Sequence, residues 1–149
     1  MISCDTNILF AACDADNRHN ANARAFLDEH GRDPSFVLAE QVLMELYVLL
    51  RNPTISRPPL NAAEAALLIL RFRANPHWRV VDVPGEGGIM QELWRIAARA
   101  DFAYRRIFDV RLALTLRHHG VTDLATSNMR DFADLGFSRV WNPLNNRGI

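Results

Sequence analysis

Five short runs rich in β-branched or aromatic residues, "MISC", "SFVLA", "WRVVDV", "VTDLAT" and "SRVW", are separated by longer segments with helical apolar spacing. That alternation constrains the chain strongly. Short strands joined through helices are βαβ units, and they predict an α/β fold with a parallel sheet of about five strands covered by helices on both faces. The helical segments are a short "NILFAA"; "NANARAFLDEHG", ending on a C′ glycine at Gly31; "EQVLMELYVLLRN", stopped by Pro53; "NAAEAALLILRFRAN", stopped by Pro76; "GIMQELWRIAARAD"; and "FDVRLALTLRHHG", ending on Gly120. The proline-rich "RNPTISRPPLN" reads as a loop between two helices, because too little chain lies on either side of it for two separate cores. One domain spanning residues 1–149 is expected, with 49% hydrophobic residues to build its core.

Composition excludes several classes. The longest apolar stretches, "QVLMELYVLL" and "AALLIL", fall well short of the roughly 20 residues that cross a bilayer, and no secretory leader pattern is visible. No membrane association and a cytoplasmic location are expected. Cys4 and Cys13 show neither CxxC spacing nor a disulfide framework, so both read as free thiols, Cys4 within the first strand. The 17 basic residues balance 17 acids, which argues against coating nucleic acid by bulk attraction but leaves local patches open. All 17 are arginines; there is no lysine.

Against this background certain carboxylates are out of place. Asp5 interrupts the apolar "ISCDTNILFAA" directly after the first strand, where the crevice of an open parallel sheet lies, although an N-cap for "NILFAA" is an equal reading. Glu45 stands in "QVLMELYVLL", apolar nearly all the way round, so it is expected to be buried; it then needs an arginine, a proton or a metal ion. Glu40, in the first turn of the same helix, is explained by the helix dipole. Asp109 opens "FDVRLALTLRHHG" as a cap or as a site residue, and "LATSNMRDF" follows a strand with the polar Ser127, Asn128 and Asp131. Brought to one sheet edge, these acids would raise one another's pKa unless a cation intervened, and an all-oxygen set suits Mg2+ or Mn2+ over zinc. His118 and His119 are adjacent at a helix end and read as capping or solvated.

The ordered series "DTNILFAA", "LMELYVLLRNP", "FDVRLALTLRHHGV" and "LATSNMRDF" resembles the PIN-domain ribonucleases, especially toxins of the VapC type from toxin–antitoxin pairs, over nearly the whole chain. The resemblance implies a three-layer α/β/α sandwich and a metal-dependent endoribonuclease that cleaves RNA with activated water, arresting translation. It implies Asp5, Glu45 and Asp109 as catalytic carboxylates and ligands of one or two Mg2+ or Mn2+ ions. The family's fourth acid falls on Asn128, a departure, with Asp131 as an accessory acid. Thr6, Asn7, Thr126 and Ser127 correspond to positioning groups. Arg105, Arg106, Arg111 and Arg130 are candidates to hold flanking RNA phosphates, or else to pair with the chain's acids. A homodimer and a cognate VapB-type antitoxin are implied as partners. The helix "NAAEAALLILRFRAN" and the proline-rich loop before it are candidates for an antitoxin groove, since Leu67, Leu68, Leu70 and Phe72 exceed one core-facing stripe, with ordinary core packing an equal reading.

Rivals lack residues they require. A phosphoacceptor receiver needs a lysine, a haloacid-dehalogenase-type phosphatase needs an aspartate where Asn7 stands, and "PGEGG" is not a P-loop. The alternative left open by Asn128 is a catalytically silent PIN fold that binds RNA or protein.

Overall fold

The computed structural model describes residues 1–145, and each expected strand is present. The elements run β1 (Ile2–Cys4), α1 (Thr6–Cys13), α2 (Asn20–His30), β2 (Val37–Ala39), α3 (Glu40–Arg51), α4 (Ala62–Arg73), β3 (Arg79–Val81), α5 (Ile89–Ala97), α6 (Ile107–His118), β4 (Asp123–Ala125), α7 (Met129–Phe132) and β5 (Arg139–Trp141). A 3-10 turn, Tyr104–Arg106, leads into α6.

All strand pairs are parallel. β1, β4 and β5 pair in that order, β2 pairs with β3, and a bridge between Ile2 and Phe36 joins the two sets, so the strands lie in the order β3-β2-β1-β4-β5. The helices pack in two groups, α1 with α2 and α3 and α3 with α4 in one, α5 with α6 and α6 with α7 in the other. This is the expected α/β/α layering. Leu9, Leu38, Leu43, Leu46, Leu112, Leu116 and Leu124 are fully buried in one shared core cluster, each contributing about 1.5–3 kcal/mol.

Register is what builds the crevice. Cys4 stands beside Ala125, and Ala39 beside Val81, so Asp5, Thr126 and the start of α3 leave the sheet at the same carboxyl edge. No loop separates Ala39 from Glu40, so α3 rises directly over that edge. On the far side of β4, four-residue α7 is pinned by Phe132, which is fully buried, and this holds the Asn128–Asp131 turn against the sheet. Gly120, at φ 87, adopts the left-handed conformation that ends α6, with Val121 N–H donating to Leu116 O at 3.0 Å. That turn feeds β4 into the sheet.

Two expectations need correction. Gly31 is not a left-handed cap, for its φ is −60. The last carbonyls of α2 are instead met by distant side chains: Trp78 Nε1 donates to His30 O at 2.8 Å and Asn75 Nδ2 to Gly31 O at 3.0 Å. Nor is α3 buried all round. Val42, Leu43, Leu46 and Leu50 face the core while Met44 and Val48 are 55% and 61% exposed, and Glu45, between the two faces, is only half-buried. Of the described helices none is long and apolar enough to cross a membrane.

Candidate active site

Asp5 caps α1 and lies at the carboxyl edge of the sheet. As the N-cap of α1 its Oδ1 accepts from Thr6 N–H at 2.7 Å, while Oδ2 accepts from Thr126 Oγ1 at 2.9 Å and Asn7 Nδ2 at 3.1 Å. Its 6% exposure raises the carboxyl pKa through burial; the Thr6 and Thr126 donors oppose this, the charge of Glu45 adds to it and Asn7 opposes it. Thr126 ties the edge together, since its hydroxyl oxygen also accepts from Asn128 N–H at 3.0 Å. Asn7 Oδ1 in turn accepts from Ser127 N–H at 3.1 Å. Thr6, Asn7, Thr126 and Ser127 therefore form one hydrogen-bonded frame around Asp5.

Glu45 joins that frame from α3. Its Oε2 accepts from Thr6 Oγ1 at 2.7 Å and its Oε1 from Gln41 Nε2 at 3.1 Å. The arginine pair that composition allows for Glu45 forms at Glu40, with Arg73. Asp109 lies in the first turn of α6, but the helix has no side-chain cap and no hydrogen bond from a described residue reaches this carboxylate. Burial and the charges of Asp5, Asp131 and Glu45 push its pKa up to about 6, against a smaller opposing effect of Arg106. Three acids from three other elements thus converge electrostatically on Asp109.

The expected ligand set of Asp5, Glu45, Asp109, Asn128 and Asp131 is gathered along one crevice but not closed around one point. Among the described residues no three carboxylate, imidazole or thiolate groups are arranged to enclose an ion. Asn128 is exposed at the start of α7, where its side chain makes no cap hydrogen bond. The arginines divide. Arg105 lies over the Tyr104 ring and is exposed, as is Arg130; Arg106 donates to Asp131 O and pairs with Asp134 at 2.9 Å; Arg111 donates to Gln41 Oε1 at 2.7 Å. His119 contacts Asp82 O at 3.0 Å, and His118 packs edge-on against it, away from the acids. Beside Glu45 opens a pocket of about 510 Å3 lined by Thr6, Gln41, Met44, Glu45, Val48, Leu49, Phe108 and Arg111. Gln41 is the site-lining residue that sequence reasoning missed. A glutamine in the first turn of an amphipathic helix carries no signal by itself.

Parallel strands ending in an acidic crevice, under an α/β/α layering, define a PIN-type nuclease fold. Solved structures share it: VapC20 of Mycobacterium tuberculosis, a sarcin–ricin loop cleaving toxin, aligns with TM-score 0.64 at 20% identity over 92% of this chain and 96% of its own. FitAcB of Neisseria gonorrhoeae aligns with TM-score 0.64 at 21% identity over 97% and 99%. No family model matches the chain. Ribonuclease VapC24 of Mycobacterium tuberculosis is 47% identical over 148 residues, 99% of this chain and 100% of the relative, in two strains. The chain belongs to the VapC ribonucleases.

Proposed function

We propose that the chain is a Mg2+- or Mn2+-dependent endoribonuclease, the toxin of a toxin–antitoxin pair, with Asp5, Glu45 and Asp109 as its catalytic carboxylates. The observation that carries the reading is the convergence of Asp5, Glu45 and Asp131 on the raised Asp109. Such crowding is unfavourable in the bare protein and favourable around a cation. The donors fit a hard divalent ion, being carboxylate and amide oxygens with no thiolate or imidazole among them. An ion that keeps several waters needs few protein ligands at once, which suits an open crevice. Asp5, Glu45 and Asp109 would hold it, with Asp131 and the Asn128 carbonyl oxygen as accessory donors. When bound, such an ion supplies Lewis-acid stabilisation of phosphoryl charge and acidifies water at neutral pH.

The protein's own residues do the rest. Thr6, Asn7 and Thr126 hold both oxygens of Asp5 in one orientation, and Thr6 and Gln41 do so for Glu45. Asp109, half-buried and with no hydrogen bond from a described residue, keeps both oxygens open to the crevice, where it would hold the ion or accept a proton. The exposed Arg105, on the turn that leads into α6, and the exposed Arg130 of α7 are suited to RNA phosphates. Arg106, already bonded to the α7 segment, holds that segment in place.

The partners follow from the same reading: RNA as substrate, a VapB-type antitoxin as inhibitor, and a second copy of the chain, all in the cytoplasm. Solved neighbours in this fold include a toxin–antitoxin complex from Klebsiella pneumoniae, TM-score 0.59 at 19% identity over 96% of this chain and 98% of that one. Leu67 and Leu70 of α4 are 52% and 58% exposed, while Leu68 and Phe72 pack on the core; the exposed pair offers an apolar contact for the antitoxin.

The test is cleavage of end-labelled total RNA by the purified chain with Mg2+ or Mn2+, beside EDTA and Asp109→Asn controls. Discrete cuts that vanish in both controls are expected. Intact RNA from the folded, antitoxin-free protein across several RNA pools would instead indicate a silent binding module.

A further inference from the structure

Gln41 is 6% exposed, and a buried amide must find partners for both its ends. Its Nε2 donates to Glu45 Oε1 at 3.1 Å and to Phe108 O at 2.8 Å, and its Oε1 accepts from Arg111 Nη1 at 2.7 Å. These contacts admit one orientation. Turned over, the amide oxygen would face a carboxylate and a carbonyl, and the amide nitrogen a guanidinium, so that all three pairings would be lost. Arg111 therefore works as a lock on the direction of the amide. Its other terminal nitrogen lies 3.7 Å from Asp82 Oδ1, beyond the end of β3, which steadies the guanidinium from a third element.

What the amide joins is informative. Phe108 O belongs to the peptide unit that runs directly into Asp109, while Glu45 lies one helical turn beyond Gln41 on α3. We propose that Gln41 is a positioning residue, which ties the Glu45 carboxylate to the peptide entering Asp109 and, locked by Arg111, sets the spacing of these two acids across the α3–α6 junction. Thr6 Oγ1 takes the other Glu45 oxygen, so the carboxylate is clamped from two sides while each oxygen keeps a lone pair for the crevice. Arg111 is thereby assigned to the lock and not to an RNA phosphate. This role rests on the cation-dependent reading given above, since the spacing matters only if both acids serve one bound group.

Outer partners of ligating carboxylates commonly change metal affinity by 10-fold or more. The experiment is a calorimetric Mn2+ titration of the full chain, without RNA, at a temperature where circular dichroism shows each variant folded. Gln41→Met keeps the side-chain length and removes the polar contacts; Gln41→Asn keeps the amide but withdraws it by one methylene. Both are expected to weaken Mn2+ binding about 10-fold, and Arg111→Met less, about threefold. Thr115→Val is the structural control. It removes the hydroxyl that donates to Arg111 O at 2.8 Å within α6, leaves Gln41 untouched, and is expected to keep wild-type affinity. If Gln41→Met does not fold, Gln41→Asn decides. Wild-type affinity in the folded Gln41 variants, or an equal loss in Thr115→Val, overturns the positioning role while the nuclease reading stands. A wild-type chain that binds no Mn2+ and cuts no RNA overturns both.

Discussion

Asp5 and Asp109 are carboxylates of the same crevice treated in opposite ways. Asp5 is nearly inaccessible and receives hydrogen bonds from Thr6, Asn7 and Thr126; Asp109 is half-buried, faces three other acids and receives none from a described residue. The first is anchored by the fold, the second left electrostatically incomplete. The difference teaches where the site is rigid and where it waits for charge. A frame of donors fixes a carboxylate by using some of its lone pairs, so the acid with no donor from a described residue keeps the most lone pairs open to a cation or a proton.

The sharpest way to break the comparison is to neutralise the incomplete member. Asp109→Asn is expected to lower RNA cleavage by about 10²–10⁴-fold, read from initial rates on a labelled substrate, because a carboxylate that would hold the ion or accept a proton is gone. Neutralising the anchor's support comes next. Thr126→Val deletes the hydroxyl that serves Asp5 Oδ2 and Asn128 N–H, and is expected to destabilise the metal-free chain by about 1–3 kcal/mol in urea melts, since the buried Asp5 carboxylate and the part-buried Asn128 N–H lose a partner.

A smaller effect separates the two acids by pH. In the unfolded chain Asp109 titrates near its ordinary 3.8, and in the folded chain at about 6. Below 3.8 it is protonated in both states and contributes no penalty; above 6 it is charged in both and the folded state bears the whole penalty. The metal-free protein should therefore lose stability from this group as pH rises from about 4 through 6, and Mn2+ affinity should fall as pH drops below 6. Chemical melts and binding titrations across that range check both signs. The smallest expected effect is from Asn128→Asp, which adds a carboxylate at the exposed start of α7 and should tighten Mn2+ binding a few-fold by calorimetry. Unchanged binding would show that Asn128 lies outside the ligand field.

Much of this arrangement was legible in the chain itself, and what was not has physical reasons. The strands announced themselves because β-branched runs alternate with helical spacing, while Asp5, Glu45 and Asp109 stood out only as candidates, as carboxylates in apolar settings that need an explanation. Helix ends were legible where the backbone needs glycine, as at Gly120, and not where distant side chains finish the helix, as Trp78 and Asn75 do at Gly31. Glu45 was expected to be deeper than it is, because apolar Met44 and Val48 suggested a buried helix yet face outward beside the pocket. Gln41 could not be found from sequence. Its partners are Phe108 and Arg111, 67 and 70 residues away, and only the hydrogen bonds from α3 across to the start of α6 give the amide its meaning.

The most direct test of the acidic crevice as a cation-completed site is a pair of thermal melts of the wild type and Asp109→Asn at pH 7.5, each with and without Mn2+. The account predicts a reversal: without metal the variant melts higher, because a repelled charge has been removed, whereas with Mn2+ the wild type rises and the variant moves little. Equal Mn2+ responses in the two proteins, or a wild type that Mn2+ leaves unchanged, would contradict it.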